Sequence, residues 1–132
     1  MLNPAPARNI PVSLLALANI VVPNETESAA IGGTKNLLNL GVATVVTTLG
    51  ADGASIDTAT STTHIAPHKV TPIDTVGAGD AFIGATCAEL SRGASIGDAA
   101  CMGAIAGALA TTVKGAVPSL PTREAVLAAQ KS

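Results

Sequence analysis

Tryptophan and tyrosine are absent from these 132 residues, and Phe82 is the single phenylalanine. A core without large anchors has to be packed from Ala, Val, Ile and Leu, which a chain that is 48% hydrophobic can supply. Charge is scarce as well. Charged residues make up 12% and the net charge is -2, so there is neither the solvated composition of a disordered tail nor a basic footprint for nucleic acid. An anionic ligand would have to be held largely by backbone groups. Cysteine is limited to Cys87 and Cys101, without C-x-x-C or Cys/His ligand spacing. They read as small buried apolar residues rather than a disulfide or metal pair, in keeping with a reducing cytoplasm. Long apolar runs are missing too. Ala99 to Ala110 falls short of the ~20 residues that span a bilayer, so no membrane is expected as a partner, and its Gly103-x-x-x-Gly107 reads as a helix face made for close approach. Arg8 followed by an apolar run and Ala16-Leu17-Ala18 imitates a signal sequence, but Pro4, Pro6 and Pro11 interrupt it.

The chain has the length of one domain, and one stretch organises it: Asp74-Thr75-Val76-Gly77-Ala78-Gly79-Asp80, running into an apolar helix expected from Ala81 to Ser91. Gly77, Ala78 and Gly79 leave the backbone bare, so successive N–H groups can turn toward one anion, aided by the positive end of the helix. Asp80 stands beside that point, able to take a proton from a hydroxyl attacking a phosphate. The chemistry suggested is phosphoryl transfer. The competing reading makes Asp80 a helix cap and the glycines a plain turn.

Around this stretch the pattern alternates strands and helices. Pro11 to Ala18 has helical spacing, and Ile20-Val21-Val22 is a short buried strand ended by Pro23. Asn24 and Glu27 follow that strand's C-terminal end, where open α/β sheets place ligand-binding residues, although Asn24 also suits a cap for a helix beginning near Glu25. Ser28 to Leu40 is helical with a break at Gly32-Gly33. Lys35 does not make this a P-loop, because no G-x-x-x-x-G-K-[ST] is present. Ala43 to Leu49 and Ala54 to Asp57 are strands joined by a turn through Gly50, Asp52 and Gly53, and Thr62 to Ala66 is a further strand. His64 and His68 read as surface residues, since Pro67 argues against the helix that i, i+4 metal ligation needs. Ser95 to Thr112 and Thr122 to Gln130 are helices.

Asp74-Thr75-x-Gly77-Ala78-Gly79-Asp80 resembles the C-terminal signature of the PfkB, or ribokinase, family of sugar kinases. Asn3-Pro4-Ala5-Pro6-Ala7-Arg8, Pro23-Asn24-Glu25-Thr26-Glu27, Thr48-Leu49-Gly50-Ala51-Asp52-Gly53 and Lys114-Gly115-Ala116-Val117-Pro118-Ser119 resemble further segments in the family's order. The resemblance implies a ribokinase-like α/β fold, a mostly parallel sheet flanked by helices. It is incomplete here, with the N-terminal part and the lid missing, so that residues 1–132 form a single partial domain, the ATP-binding half. It also implies ATP as co-substrate and ribose as the favoured sugar. Asp80 becomes the catalytic base and Gly77, Ala78 and Gly79 the anion hole. Asn24, Thr48, Gly50, Asp52 and Gly53, with Gly79 and Asp80, become nucleotide-binding. Glu27 would help organise an Mg2+ shell. Asp74 and Ser119, with the carbonyls of Val76, Ala110, Val113 and Gly115, would hold an activating K+, although the family usually has a basic residue where Val113 stands. Partners would be a missing N-terminal half or a second copy. Two other readings stand beside the kinase: a non-catalytic nucleotide-binding or interaction module, and a dinucleotide-binding oxidoreductase. The last lacks its third glycine, because Phe82 stands there.

Overall fold

The protein is described by a computed structural model covering residues 1–7 and 9–132. Arg8, the last residue of the Asn3 to Arg8 block, lies outside the described residues. The chain divides into two compact units, Met1–His64 and Ile65–Ser132.

The first unit is built on a sheet. Helix α1 (Val12–Leu17) leads to strand β1 (Ile20–Val21), then helices α2 (Glu25–Ala30) and α3 (Gly33–Asn39), then β2 (Thr44–Thr48), β3 (Ala54–Asp57) and β4 (Thr62–Ile65). The sheet order is β1-β2-β3-β4. Its sense is mixed, for a reason the connections supply. β1 and β2 are separated by two helices and pair in parallel, Ile20 with Thr44 and Val21 with Val45. β2 and β3 are separated by one short turn and pair antiparallel, Val46 opposite Ile56 and Thr48 opposite Ala54. Leu2 extends the parallel side by bridging to Val21, and Asn3 Nδ2 donates to Val22 O at 2.8 Å, which ties the start of the chain to the β1 edge. The break between α2 and α3 falls where expected. Gly32 has φ 93° and Gly33 φ 84°, a pair of left-handed residues that glycine adopts without the Cβ clash. The core collects Leu15, Val21, Leu37, Val42 and Val45, all nearly inaccessible. Each such side chain contributes roughly 1.5–3 kcal/mol over its exposed state, and this apolar layer fixes the sheet under the helices.

The second unit is helical: α4 (Ala78–Ser91), α5 (Ile96–Ala110), a short α6 (Ala116–Ser119) and α7 (Arg123–Gln130). With one aromatic available, tight packing comes from missing side chains. A Cβ placed on Gly103 would fall 2.9 Å from Phe82 O, so α5 approaches the α4 backbone at a distance that larger residues forbid. Phe82 fills the crossing and is buried. α7 packs Val126 against Met102, Ile105 and Ala106. Its first residue, Arg123, donates through Nε to Glu89 Oε1 at 2.7 Å and through Nη2 to Glu89 Oε2 at 3.2 Å, a two-point clamp onto α4.

Two expectations are corrected here. α4 begins at Ala78, not at Ala81, because Gly77 at φ 84° is the residue that leaves the helical region and the N–H groups of the first helical turn need no internal acceptors. Cys87 is exposed rather than buried, since it lies on the α4 side turned away from α5; Cys101 is intermediate, and its thiol is pushed up by burial and then by the nearby Asp98 charge. No helix among the described residues is long and apolar enough to cross a membrane.

Candidate active site

The start of α4 is shaped by Asp74. Its Oδ1 accepts the Val76 N–H at 3.0 Å, which bends the chain, and Ala78 N–H donates back to Thr75 O at 3.2 Å. Gly77 then enters the left-handed region and Ala81 N–H closes the first helical bond on Gly77 O at 2.9 Å. Ala78's amide is therefore engaged, whereas the amides of Gly77, Gly79 and Asp80 have no acceptor among the described residues. These are the orphan donors of a helix N-terminus, and they carry its partial positive charge.

Asp80 occupies the third position of this helix, which allows a direct test of the capping reading. Glu27 holds the same position in α2 and is spent on capping: its carboxylate accepts the Asn24 N–H at 2.9 Å while Asn24 Oδ1 accepts the Glu27 N–H at 2.8 Å. Asp98 holds it in α5 and accepts the Ser95 hydroxyl at 2.7 Å. Asp80 has glycine at its cap position and no hydrogen-bond partner among the described residues, so its exposed carboxylate is left for something else. It lines one end of a groove of about 360 Å³ that continues past Gly84 and Ala88 to Met102, Ala106 and Leu120.

The second segment at this site is brought in by the other oxygen of Asp74, which accepts the Gly115 N–H at 2.9 Å across forty-one residues of sequence. Ile73 and Asp74 N–H both donate to Thr111 O, at 2.7 and 3.0 Å. Gly115, at φ 90°, turns the chain into α6, where buried Ser119 donates to Ala116 O at 2.8 Å. The structure thus joins Asp74 to Gly115 and to Thr111, while Ser119 turns its hydroxyl back onto Ala116 within α6. Thr111, whose carbonyl takes two of these bonds, is the member that sequence reasoning missed, because a backbone acceptor leaves no side-chain signal.

These contacts set two expectations. A Cβ on Gly77 would stand 3.1 Å from Ala116 Cα and require a left-handed residue, so Gly77→Ala should lower stability by about 1–2 kcal/mol, read from urea unfolding. Asp74's carboxyl is held below its ordinary value first by the Gly115 N–H and then by the Val76 N–H, and Glu89's by Arg123. Groups depressed in the folded chain stabilise it fully above their unfolded values of about 4, and lose that effect as pH falls through the lower folded values. Melting temperature should be flat from neutrality to about pH 5 and fall below about pH 4. Asp74→Asn should start lower at neutral pH and show a shallower fall.

In the first unit, Asn24 bridges to Thr48, and Thr48 N–H donates to Pro23 O at 2.9 Å, which sets these two residues side by side at the strand ends. The turn beyond them is a 3-10 turn over Gly50–Asp52, closed by Leu49 N–H donating to Gly53 O at 2.8 Å. Gly53 has φ 88° and ψ -124°, a conformation only glycine adopts freely. His64, on β4, places Nε2 2.9 Å from Asp52 O and so braces this turn. No group of three or more His, Cys, Asp or Glu side chains that could hold a metal is present among the described residues.

Comparison with known proteins gives a consistent result. The pfkB family carbohydrate kinase profile matches residues 1–123. The ribokinase of Staphylococcus aureus is 39% identical over 139 aligned positions, covering 96% of this chain and 46% of its own length. The crystal structure of Thermotoga maritima ribokinase superposes with a TM-score of 0.94 at 33% identity, over 98% of this chain and 48% of that one. Arabidopsis thaliana ribokinase, solved with ribose and ATP, superposes at 0.87 and 31% identity, over 93% and 44%. An aminoimidazole riboside kinase, a deoxyribokinase and a fructokinase match as well. This chain spans just under half the length of the ribokinase relatives.

Proposed function

Because the chain belongs to the pfkB family of carbohydrate kinases, we propose that it carries the ATP-binding and catalytic half of an ATP-dependent sugar kinase of ribokinase type. The observation that carries this reading is the uncapped carboxylate of Asp80 beside the unpartnered amides of Gly77, Gly79 and Asp80. Donors fixed before reaction stabilise charge as it develops on a phosphoryl group without having to reorganise. Asp80 accepts the proton of the sugar hydroxyl as that oxygen bonds to the γ-phosphorus and the bond from phosphorus to the ADP oxygen breaks. Ribose is favoured over other sugars by the Asn3 to Arg8 and Lys114 to Ser119 sequence blocks and by the ribokinase relatives.

The nucleotide falls to Asn24, Thr48, Gly50, Asp52 and Gly53 by the same resemblance. Glu27 uses Oε2 in capping and keeps Oε1 open, which suits Mg2+, an ion that retains waters and takes one or two carboxylates plus substrate phosphates. When bound, Mg2+ neutralises phosphate charge. Asp74 and Ser119, with the carbonyls of Val76, Ala110, Val113 and Gly115, offer only hard oxygen donors, and both Asp74 oxygens are already oriented by backbone N–H groups. That set suits a large weakly hydrated cation such as K+, and stiffening the loop that leads into Gly77 would show in turnover. Replacing sodium by potassium should raise the rate of the assembled kinase, and Asp74→Ala should abolish most of the difference; equal rates in the two ions would remove the cation assignment.

A second reading keeps the residues set side by side where Asn24 bridges to Thr48 and drops the chemistry: a nucleotide-binding module without catalysis. Calorimetric titration with ADP, followed by assays with the remaining half of a ribokinase supplied, separates the two. The kinase reading expects binding and sugar phosphate. Binding without sugar phosphate supports the module, and no binding at all contradicts both.

A further inference from the structure

α5 meets α4 through two glycines, and they touch different parts of it. A Cβ on Gly103 would collide with Thr86 Oγ1 and fall 2.9 Å from Phe82 O, in the middle of the crossing. A Cβ on Gly107 would fall 3.1 Å from Ala78 O, its tightest contact and at the first residue of α4, and in ordinary van der Waals contact with Phe82 Cβ at 3.5 Å and Ala78 C at 3.9 Å. The Ala78 carbonyl belongs to the same planar peptide unit as the Gly79 N–H. The two groups point to opposite ends of that unit, so what presses on the oxygen turns the hydrogen. The Gly79 N–H is among the amides without an acceptor. By contrast, the peptide unit beginning at Phe82 O contains the Ile83 N–H, which lies inside the helix and has no free donor to aim.

We propose that Gly107 is a positioning residue, whose missing side chain lets the Ala78–Gly79 peptide sit at the tilt that aims the Gly79 N–H at a phosphate oxygen. Neighbouring anchors hold the chain on the N-terminal side of that peptide. Ala78 N–H is held by Thr75 O at 3.2 Å, and Gly77 is seated against Ala116. With that side fixed, the few tenths of an ångström that an alanine at 107 demands fall first on the Ala78–Gly79 peptide, whose oxygen it meets. At Gly103 the demand is larger and spreads the helices, loosening Phe82 and Thr86, a cost in stability with no directed effect on the anion donors. The inference rests on reading the α4 N-terminus as a phosphate site, and the test separates the two claims.

ADP affinity is measured by calorimetry on the chain, G107A and G103A, well below their melting temperatures, and the Gly79 amide is followed in 15N-labelled protein. G107A should shift the Gly79 resonance and weaken ADP at least about fivefold, part of the value of one hydrogen bond to a charged group. G103A should lose more melting temperature yet keep ADP affinity within about twofold. An unmoved Gly79 resonance in G107A, unchanged ADP affinity, or losses in both variants that follow melting temperature would overturn the proposal. If the parent chain binds no ADP, the phosphate-site reading fails, while the Gly79 shift in G107A still supports or refutes the positioning. Should G107A be unfolded, the measurement is repeated in trimethylamine N-oxide, which strengthens burial. A variant unfolded even there makes Gly107 a packing residue and overturns the proposal.

Discussion

Asp80→Asn in this chain, assembled with the half of Thermotoga maritima ribokinase that it does not span, should lower turnover by roughly 10²-fold or more while ATP affinity stays within a few-fold. The substitution is close to isosteric and touches no internal contact, because the Asp80 side chain has no hydrogen-bond partner among the described residues. Folding should therefore be unaffected, and melting temperature provides the control. A neutral amide cannot accept the sugar proton, but it leaves the amides of Gly77, Gly79 and residue 80 where they were. The loss therefore falls on kcat and spares ground-state binding. Unchanged turnover would remove Asp80 from the chemistry. A fall in melting temperature large enough to account for the loss would return it to a structural role, like that of Glu27 or Asp98.

Gly79→Val should separate binding from stability in the opposite direction. Gly79 is helical, with no positive φ, and a Cβ there meets nothing within 4 Å. The protein itself therefore has room for a larger residue, and helix propensity favours valine over glycine by a few tenths of a kcal/mol. Melting temperature should hold or rise slightly. A phosphate approaching the Gly79 and Asp80 amides would meet the branched side chain, so calorimetry should show ADP affinity falling by about tenfold or more, the scale of a lost charge-assisted hydrogen bond. Undiminished binding would show that the unpartnered amides face water only. The contrast with Gly77→Ala is informative. That glycine answers to the backbone and to Ala116, whereas Gly79 is free of both constraints.

How much was legible in advance follows from where each signal is stored. Strand β3 runs over the expected Ala54 to Asp57, because alternation and the bounding turn are local. The α2–α3 break is equally local, written in Gly32-Gly33. The start of α4 was misplaced because Ala78 and Gly79 carry turn-like composition, while the boundary is a left-handed φ at Gly77 that composition does not distinguish. The exposure of Cys87 has no sequence signal, because α4 has Ala, Gly, Thr and Cys on nearly every side, and without polar contrast no face can be picked out. At the candidate site, the freedom of Asp80 could not be read from the acid alone, since Glu27 and Asp98 occupy the same helical position and are bonded. The union of Asp74 with Gly115 was reachable only through the family resemblance, because a carboxylate chooses its distant backbone partner by tertiary packing. Gly103-x-x-x-Gly107 announced a close helix approach, but only the structure shows that one glycine meets the middle of α4 and the other its first turn.

The most direct test is whether this chain supplies the phosphoryl-transfer chemistry of a sugar kinase. The measurement is phosphorus NMR of ribose incubated with ATP, Mg2+ and the chain assembled with the half of Thermotoga maritima ribokinase that it does not span, with Asp80→Asn run beside it. A sugar phosphate resonance should grow in step with ADP, in the parent and not in the variant. ATP bound with no sugar phosphate formed, or sugar phosphate formed equally well by Asp80→Asn, would contradict the kinase reading.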